Sequence, residues 1–119
     1  MKYILMFAGT KDEQNDYGQL SKEAREAEYA KVGVWWEKHS KAGTLIGGEQ
    51  LQGPDTATTV RHKNGKTTVT DGPFIESKEV LGGFYIIEAA NYDEAVARAS
   101  DHPTLEYGGT VEVRQVWEP

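Results

Sequence analysis

The 119-residue chain contains no cysteine. That excludes disulfides, thiolate metal sites and cysteine nucleophiles, and it suits a reducing cytosol. Long apolar runs are missing too. The opening "MKYILMF" is too short for the apolar region of a signal peptide, and nothing approaches a membrane span. Basic residues are outnumbered, 13 against 19 acidic ones, for a net charge of −6. Phosphate backbones repel such a surface. The most basic stretch, "RHKNGK" at 61–66, sits at a hairpin tip, where solvated charge is ordinary. There is no GxGxxG, no P-loop and no GxSxG elbow. The three histidines show no metal-ligand spacing. The expectation is one soluble, cytoplasmic domain over residues 1–119, with no cofactor, no metal, no nucleic-acid partner and no membrane partner.

What is present is a regular alternation of strands and helices. "KYILMFA" (2–8) is apolar on both alternating faces, Tyr3, Leu5 and Phe7 on one and Ile4, Met6 and Ala8 on the other. Such a strand is covered on both sides, so it is expected at the centre of a sheet. Residues 20–43 read as a helix capped by Ser21 and stopped at Gly43, with Tyr29, Val32 and Trp36 facing the sheet and Trp35 beside them. "TLIGGEQLQ" (44–52) is a strand in which Gly47-Gly48 signals a bulge or a close backbone approach. Asn64-Gly65 between β-rich runs predicts a two-residue type I′ hairpin that pairs Lys63 with Lys66 and Val60 with Val69. "LGGFYIIEAA" (81–90) is a second strand apolar on both faces. Residues 91–103 read as a short helix capped by Asn91 and ended by Pro103. "TVEVRQVW" (110–117) closes the chain as a strand with Val111, Val113 and Trp117 on one face.

This order is α+β: a ferredoxin-like split βαβ with an inserted β-hairpin. Two helices cover one face of such a sheet, yet two strands are apolar on both. A second copy, sheet against sheet, is the expected cover, giving a homodimer in the form of a dimeric α+β barrel.

The chemistry-bearing residues are scattered. "VTDGPFIESKEV" (69–80) sets Asp71 before Gly72, Pro73 and Phe74, with Glu76, Lys78 and Glu79 following. An aspartate at a turn commonly accepts the N–H two residues on, but Pro73 has none. Asp71 is therefore either a cleft acid/base or a corner residue paired with Arg61 or Lys78. Glu76 is a second acid/base candidate, against a reading as a solvated ion pair. Phe74 can pin the loop by burying its ring, or face a ligand. Arg61 and Arg114 lie in strands and either hold an anionic ligand or pair with carboxylates such as Glu112. His39, His62 and His102 complete the set. His39 is a candidate proton-transfer group or a cation at a helix C-terminus, and His102 reads as a helix-end residue.

The quoted segments, with "DGPF-x-E-x-KE-x-x-GG" foremost, resemble the YCII-related superfamily and its DGPF branch. The resemblance covers most of the chain. It implies a ferredoxin-like dimeric barrel. The residues themselves suggest a small-molecule cleft beside the DGPF loop, with Asp71, Glu76 and His39 as catalytic candidates. Arg61, Phe74, Lys78 and Arg114 are the ligand-binding candidates. Some relatives are thought to use a His–Asp pair with the histidine on the first helix. Here that helix offers His39, and no aspartate clearly matches. Other DGPF domains resemble companions of sigma factors, which makes a ligand-sensing or regulatory module one alternative to an enzyme; a purely structural DGPF motif at a dimer interface is the other.

Overall fold

The structure, a computed structural model, describes residues 1–10, 20–72 and 79–119, apart from the side chains of Thr10, Glu79 and Tyr107. Among these residues lie six strands and two α-helices: β1 (Lys2–Thr10), α1 (Lys22–Lys41), β2 (Leu45–Gln50), β3 (Thr58–Lys63), β4 (Lys66–Asp71), β5 (Glu79–Glu88), α2 (Tyr92–Ser100) and β6 (Thr110–Gln115). Single 3₁₀ turns stand at Pro54–Thr56 and Pro103–Tyr107. No helix among the described residues is long and apolar enough to cross a membrane.

The main sheet is antiparallel in the order β2-β5-β1-β6, so the two doubly apolar strands are the central ones. Register assigns the faces. Leu5 stands opposite Tyr85 and Val113, whereas Ile4 stands opposite Ile86 and Arg114. Tyr3, Leu5, Ile87 and Ala89 are buried beneath Trp35 of α1 and Ala95 and Ala99 of α2. Ile4, Met6, Phe84 and Ile86 form the middle of the opposite face and remain partly exposed.

Ser21 caps α1, its Oγ accepting the Ala24 N–H at 3.1 Å. Asn91 Oδ1 does the same for α2, accepting the Glu94 N–H at 2.9 Å. The predicted inward stripe of α1 is corrected. Tyr29 is 52% exposed and Trp36 37%, while Glu28, Trp35 and His39 are buried. Those three fall at i, i+7 and i+11, on one helical face. The apolar periodicity missed it because two of its members are ionisable. Trp117 is also corrected: it lies beyond β6 and is 83% exposed.

Two backbone predictions hold. Asn64 and Gly65 take φ of 52° and 75°, as a type I′ turn requires. The β3–β4 register pairs Lys63 with Lys66 and Val60 with Val69. In β2 the register shifts between Leu45 and Gly47. A Cβ at Gly48 would sit 2.4 Å from both the Phe84 carbonyl oxygen and Tyr85 Cδ1. Only glycine allows β2 to lie that close to Tyr85.

Candidate functional site

Trp35 organises the covered side of the molecule. Its indole Nε1 donates to Asp101 Oδ1 at 2.7 Å and to the Arg98 carbonyl at 3.2 Å, tying α1 to the C-terminus of α2. Its ring stacks on Tyr85 (centroids 5.2 Å apart, planes at 27°) and meets the His102 ring edge-on at 4.9 Å. Phe7 packs on His102 at 4.5 Å and on Tyr85 at 4.7 Å. The result is an aromatic box with an imidazole as one wall.

A cavity of about 370 Å³ opens beside this box, within the range of small-molecule sites. Phe7, Ala8, Leu81, Tyr85, His102 and the strip Gln50–Pro54 line it, joined by Glu28, Tyr29 and Val32 of α1. The segments outside the described residues, 11–19 and 73–78, attach to β1 and β5 at the sheet end where Thr10 pairs with Glu79.

His102 is the most perturbed group here. It is 6% exposed, and burial lowers its pKa to about 4. The ring is therefore neutral at pH 7. Its Nδ1 accepts the Thr104 N–H at 3.1 Å, as the cap of the Pro103–Tyr107 turn. An accepting Nδ1 leaves the single ring proton on Nε2. That Nε2 is buried without a hydrogen-bond partner among the described residues. A buried N–H lacking an acceptor is costly and calls for an explanation. His102 is thus a ring capping a turn and walling a cavity, more than a helix-end residue.

His39 and Asp101 form a second, adjoining layer. His39 stacks on Trp35 at 4.2 Å, and its Nε2 lies 3.7 Å from Asp101 Oδ1. That separation is too long for a hydrogen bond, and Nε2 has no other partner among the described residues. Burial lowers the His39 pKa, and the nearby Asp101 offsets this only in part. Neutral at pH 7, His39 does not act as a cation at the helix end. That end is closed instead by Thr44, whose N–H and hydroxyl both donate to the His39 carbonyl at 3.1 and 3.0 Å. Burial raises the Asp101 carboxyl, but the Lys38 ammonium at 2.9 Å and the Trp35 N–H outweigh it, leaving the pKa below its usual value. The aspartate that the sequence did not reveal as a partner for His39 is therefore Asp101, 62 residues further along the chain.

The other predicted residues lie elsewhere. Asp71 is exposed at the end of β4, opposite Thr58. Arg61 is exposed on the hairpin, its Nη1 donating to Thr70 Oγ1 at 3.2 Å. Arg114 is exposed on the sheet face turned away from the helices, opposite Ile4. None of the three borders the cavity. Phe74, Glu76 and Lys78 lie outside the described residues. Glu28 and Asp101 were missed. The faint signal for Glu28 was its i, i+7 spacing to Trp35. No three His, Asp or Glu side chains among the described residues are grouped to hold a metal ion.

Comparison with known proteins fits this picture. An uncharacterized protein of Rhizobium meliloti (strain 1021) is 42% identical over 81 residues, spanning 68% of this chain and 65% of that protein. The chain is similar in fold to 5-chloro-2-hydroxyhydroquinone dehydrochlorinase (TftG) from Burkholderia phenoliruptrix AC1100, solved in complex with 2,5-dihydroxybenzoquinone. The TM-score is 0.59 at 16% identity, covering 100% of this chain and 96% of that one. The sequence profile of the YCII-related domain matches residues 1–119, end to end, and the chain belongs to the YCII-related family.

Proposed function

We propose that this protein binds a small, flat, oxygen-bearing molecule in the cavity walled by His102, and acts on it as an acid–base enzyme. One observation carries the reading: the buried Nε2 of His102 has no partner among the described residues, and its ring borders a cavity of ligand size. On this reading the Nε2–H, closed off in this structure, must reach a ligand oxygen, where the neutral ring polarises a carbonyl or stabilises an oxyanion. His39 and Asp101 stand behind Trp35 as a reserve of proton acceptor and negative charge. Aromatic walls favour a planar ring. The fold neighbour holds a dihydroxybenzoquinone, which is consistent with that ligand class.

The finer description of the chain belongs to the same reading. It is one domain, 1–119, of the DGPF branch, and the strand order supports a ferredoxin-like core. Its partly exposed Ile4, Met6, Phe84 and Ile86 support a homodimer closed sheet on sheet. Asp71, Glu76 and Phe74 remain part of the proposal as residues of the DGPF segment.

The test is calorimetric titration with hydroquinone. Wild type binds saturably, and His102→Leu weakens binding about tenfold, or about 1.4 kcal/mol. Equal binding by the two proteins would remove His102 from the site. Binding without consumption of any ring tested would favour the sensing alternative.

A further inference from the structure

Glu28 is a carboxylate in an uncommon place. It is 6% exposed, on the inward face of α1, and it borders the same cavity as His102. A buried carboxylate is expensive unless compensated. The compensation here is partial. Oε1 lies 3.3 Å from Nζ of Lys31, but Lys31 is half exposed and makes its closer contact, 3.0 Å, with Glu106. Among the described residues, the buried polar atoms left without partners are Nε2 of His39, Nη1 of Arg98 and Nε2 of His102. Neither oxygen of Glu28 is among them. Its second oxygen has no hydrogen bond among the described residues, and Glu28 lines the cavity.

The cavity is thus walled by two complementary polar residues. His102 carries a donor that lacks an acceptor and is closed off in this structure, and Glu28 carries a second oxygen without a hydrogen bond among the described residues. A ring with a single carbonyl would satisfy one and desolvate the other. A ring bearing a hydroxyl as well as a second oxygen satisfies both. We infer that Glu28 is a specificity-determining ligand contact that accepts a hydrogen bond from a ligand hydroxyl, so that the cavity selects hydroxylated rings over rings whose hydroxyls are absent or alkylated. This rests on the cavity reading given above and adds the hydroxyl requirement and the residue that imposes it.

A ligand–mutant cycle tests it, using hydroquinone and 1,4-dimethoxybenzene as probes. Hydroquinone keeps its protons at pH 7 because phenols ionise near pH 10. Wild type is expected to prefer hydroquinone by about tenfold, since capping the hydroxyls leaves the Glu28 oxygen desolvated and unpaired. In Glu28→Met the preference falls to within about twofold, largely through weaker hydroquinone binding. Glu28→Gln keeps a carbonyl acceptor at the same reach and retains most of the preference, which guards against misfolding of the Met variant. An undiminished preference in Glu28→Met, with hydroquinone still weakened by His102→Leu, would overturn the role of Glu28 and leave the cavity reading standing. Failure of wild type to bind either probe would overturn both.

Discussion

The two faces of the main sheet handle polar groups in opposite ways. The face under the helices is closed: Tyr3, Leu5 and Ile87 are at most 1% exposed. Into that closed layer the fold admits Glu28, His39 and His102, ionisable groups that a purely structural core would exclude. The other face keeps its charge at the rim, with Lys2 opposite Glu88 and with Glu112 and Arg114 on β6. Its middle is Ile4, Met6, Phe84 and Ile86. Apolar centre and charged rim is the anatomy of an interface. Polar groups inside an otherwise tight layer are the anatomy of a site. On the proposed reading one sheet carries both, and the strand period of two keeps them apart.

Substitution should expose the contrast most strongly. Leu5→Ala, on the closed face, is expected to cost about 2–5 kcal/mol in urea unfolding, through lost burial and a cavity. Met6→Asp, one residue on, should alter unfolding of the isolated chain by less than about 1 kcal/mol. Its effect falls on assembly: sedimentation should show the dimer of the wild type become a monomer. Similar unfolding costs for the two variants, or a wild type that sediments as a monomer at all concentrations, would erase the distinction.

A smaller effect comes from pH. The folded pKa of His102 is lowered from 6.5 to about 4. Below pH 6.5 the unfolded chain takes up a proton that the folded chain refuses, so stability falls as the pH drops from 6.5 to 4. His39, also lowered, acts in the same direction over this window, whereas the lowered Asp101 loses its contribution only as the pH falls below its ordinary value near 3.8. The loss from His102 is on the order of 2–3 kcal/mol. Urea melts across this range should show the slope, and His102→Gln should flatten it. A slope unchanged in that variant would mean the imidazole titrates normally.

How much of this was legible in the sequence depended on the range of the interaction. The hairpin was readable to the residue because Asn64-Gly65 sets its own φ angles and the register follows from the turn. The central strands were readable because both their faces are apolar. Helix caps at Ser21 and Asn91 were readable for the same local reason. The inward face of α1 was not, because Glu28 and His39 interrupt the apolar stripe where the site needs them. Nor was the role of Asp101, which depends on Trp35 and Lys38 arriving from another helix. His102 looked like a helix end because its partner, the Thr104 N–H, is made by the turn it caps. The DGPF segment drew attention through composition, yet the cavity is walled among the described residues by other parts of the chain.

The account turns on the proton of His102. Imidazole nitrogen NMR at pH 7, with and without hydroquinone, tests it most directly. Nε2 should carry the proton, Nδ1 should be the accepting nitrogen, and the Nε2 resonance should move as ligand is added while Nδ1 stays nearly fixed. A proton on Nδ1, a charged ring, or an Nε2 resonance indifferent to saturating ligand would contradict it.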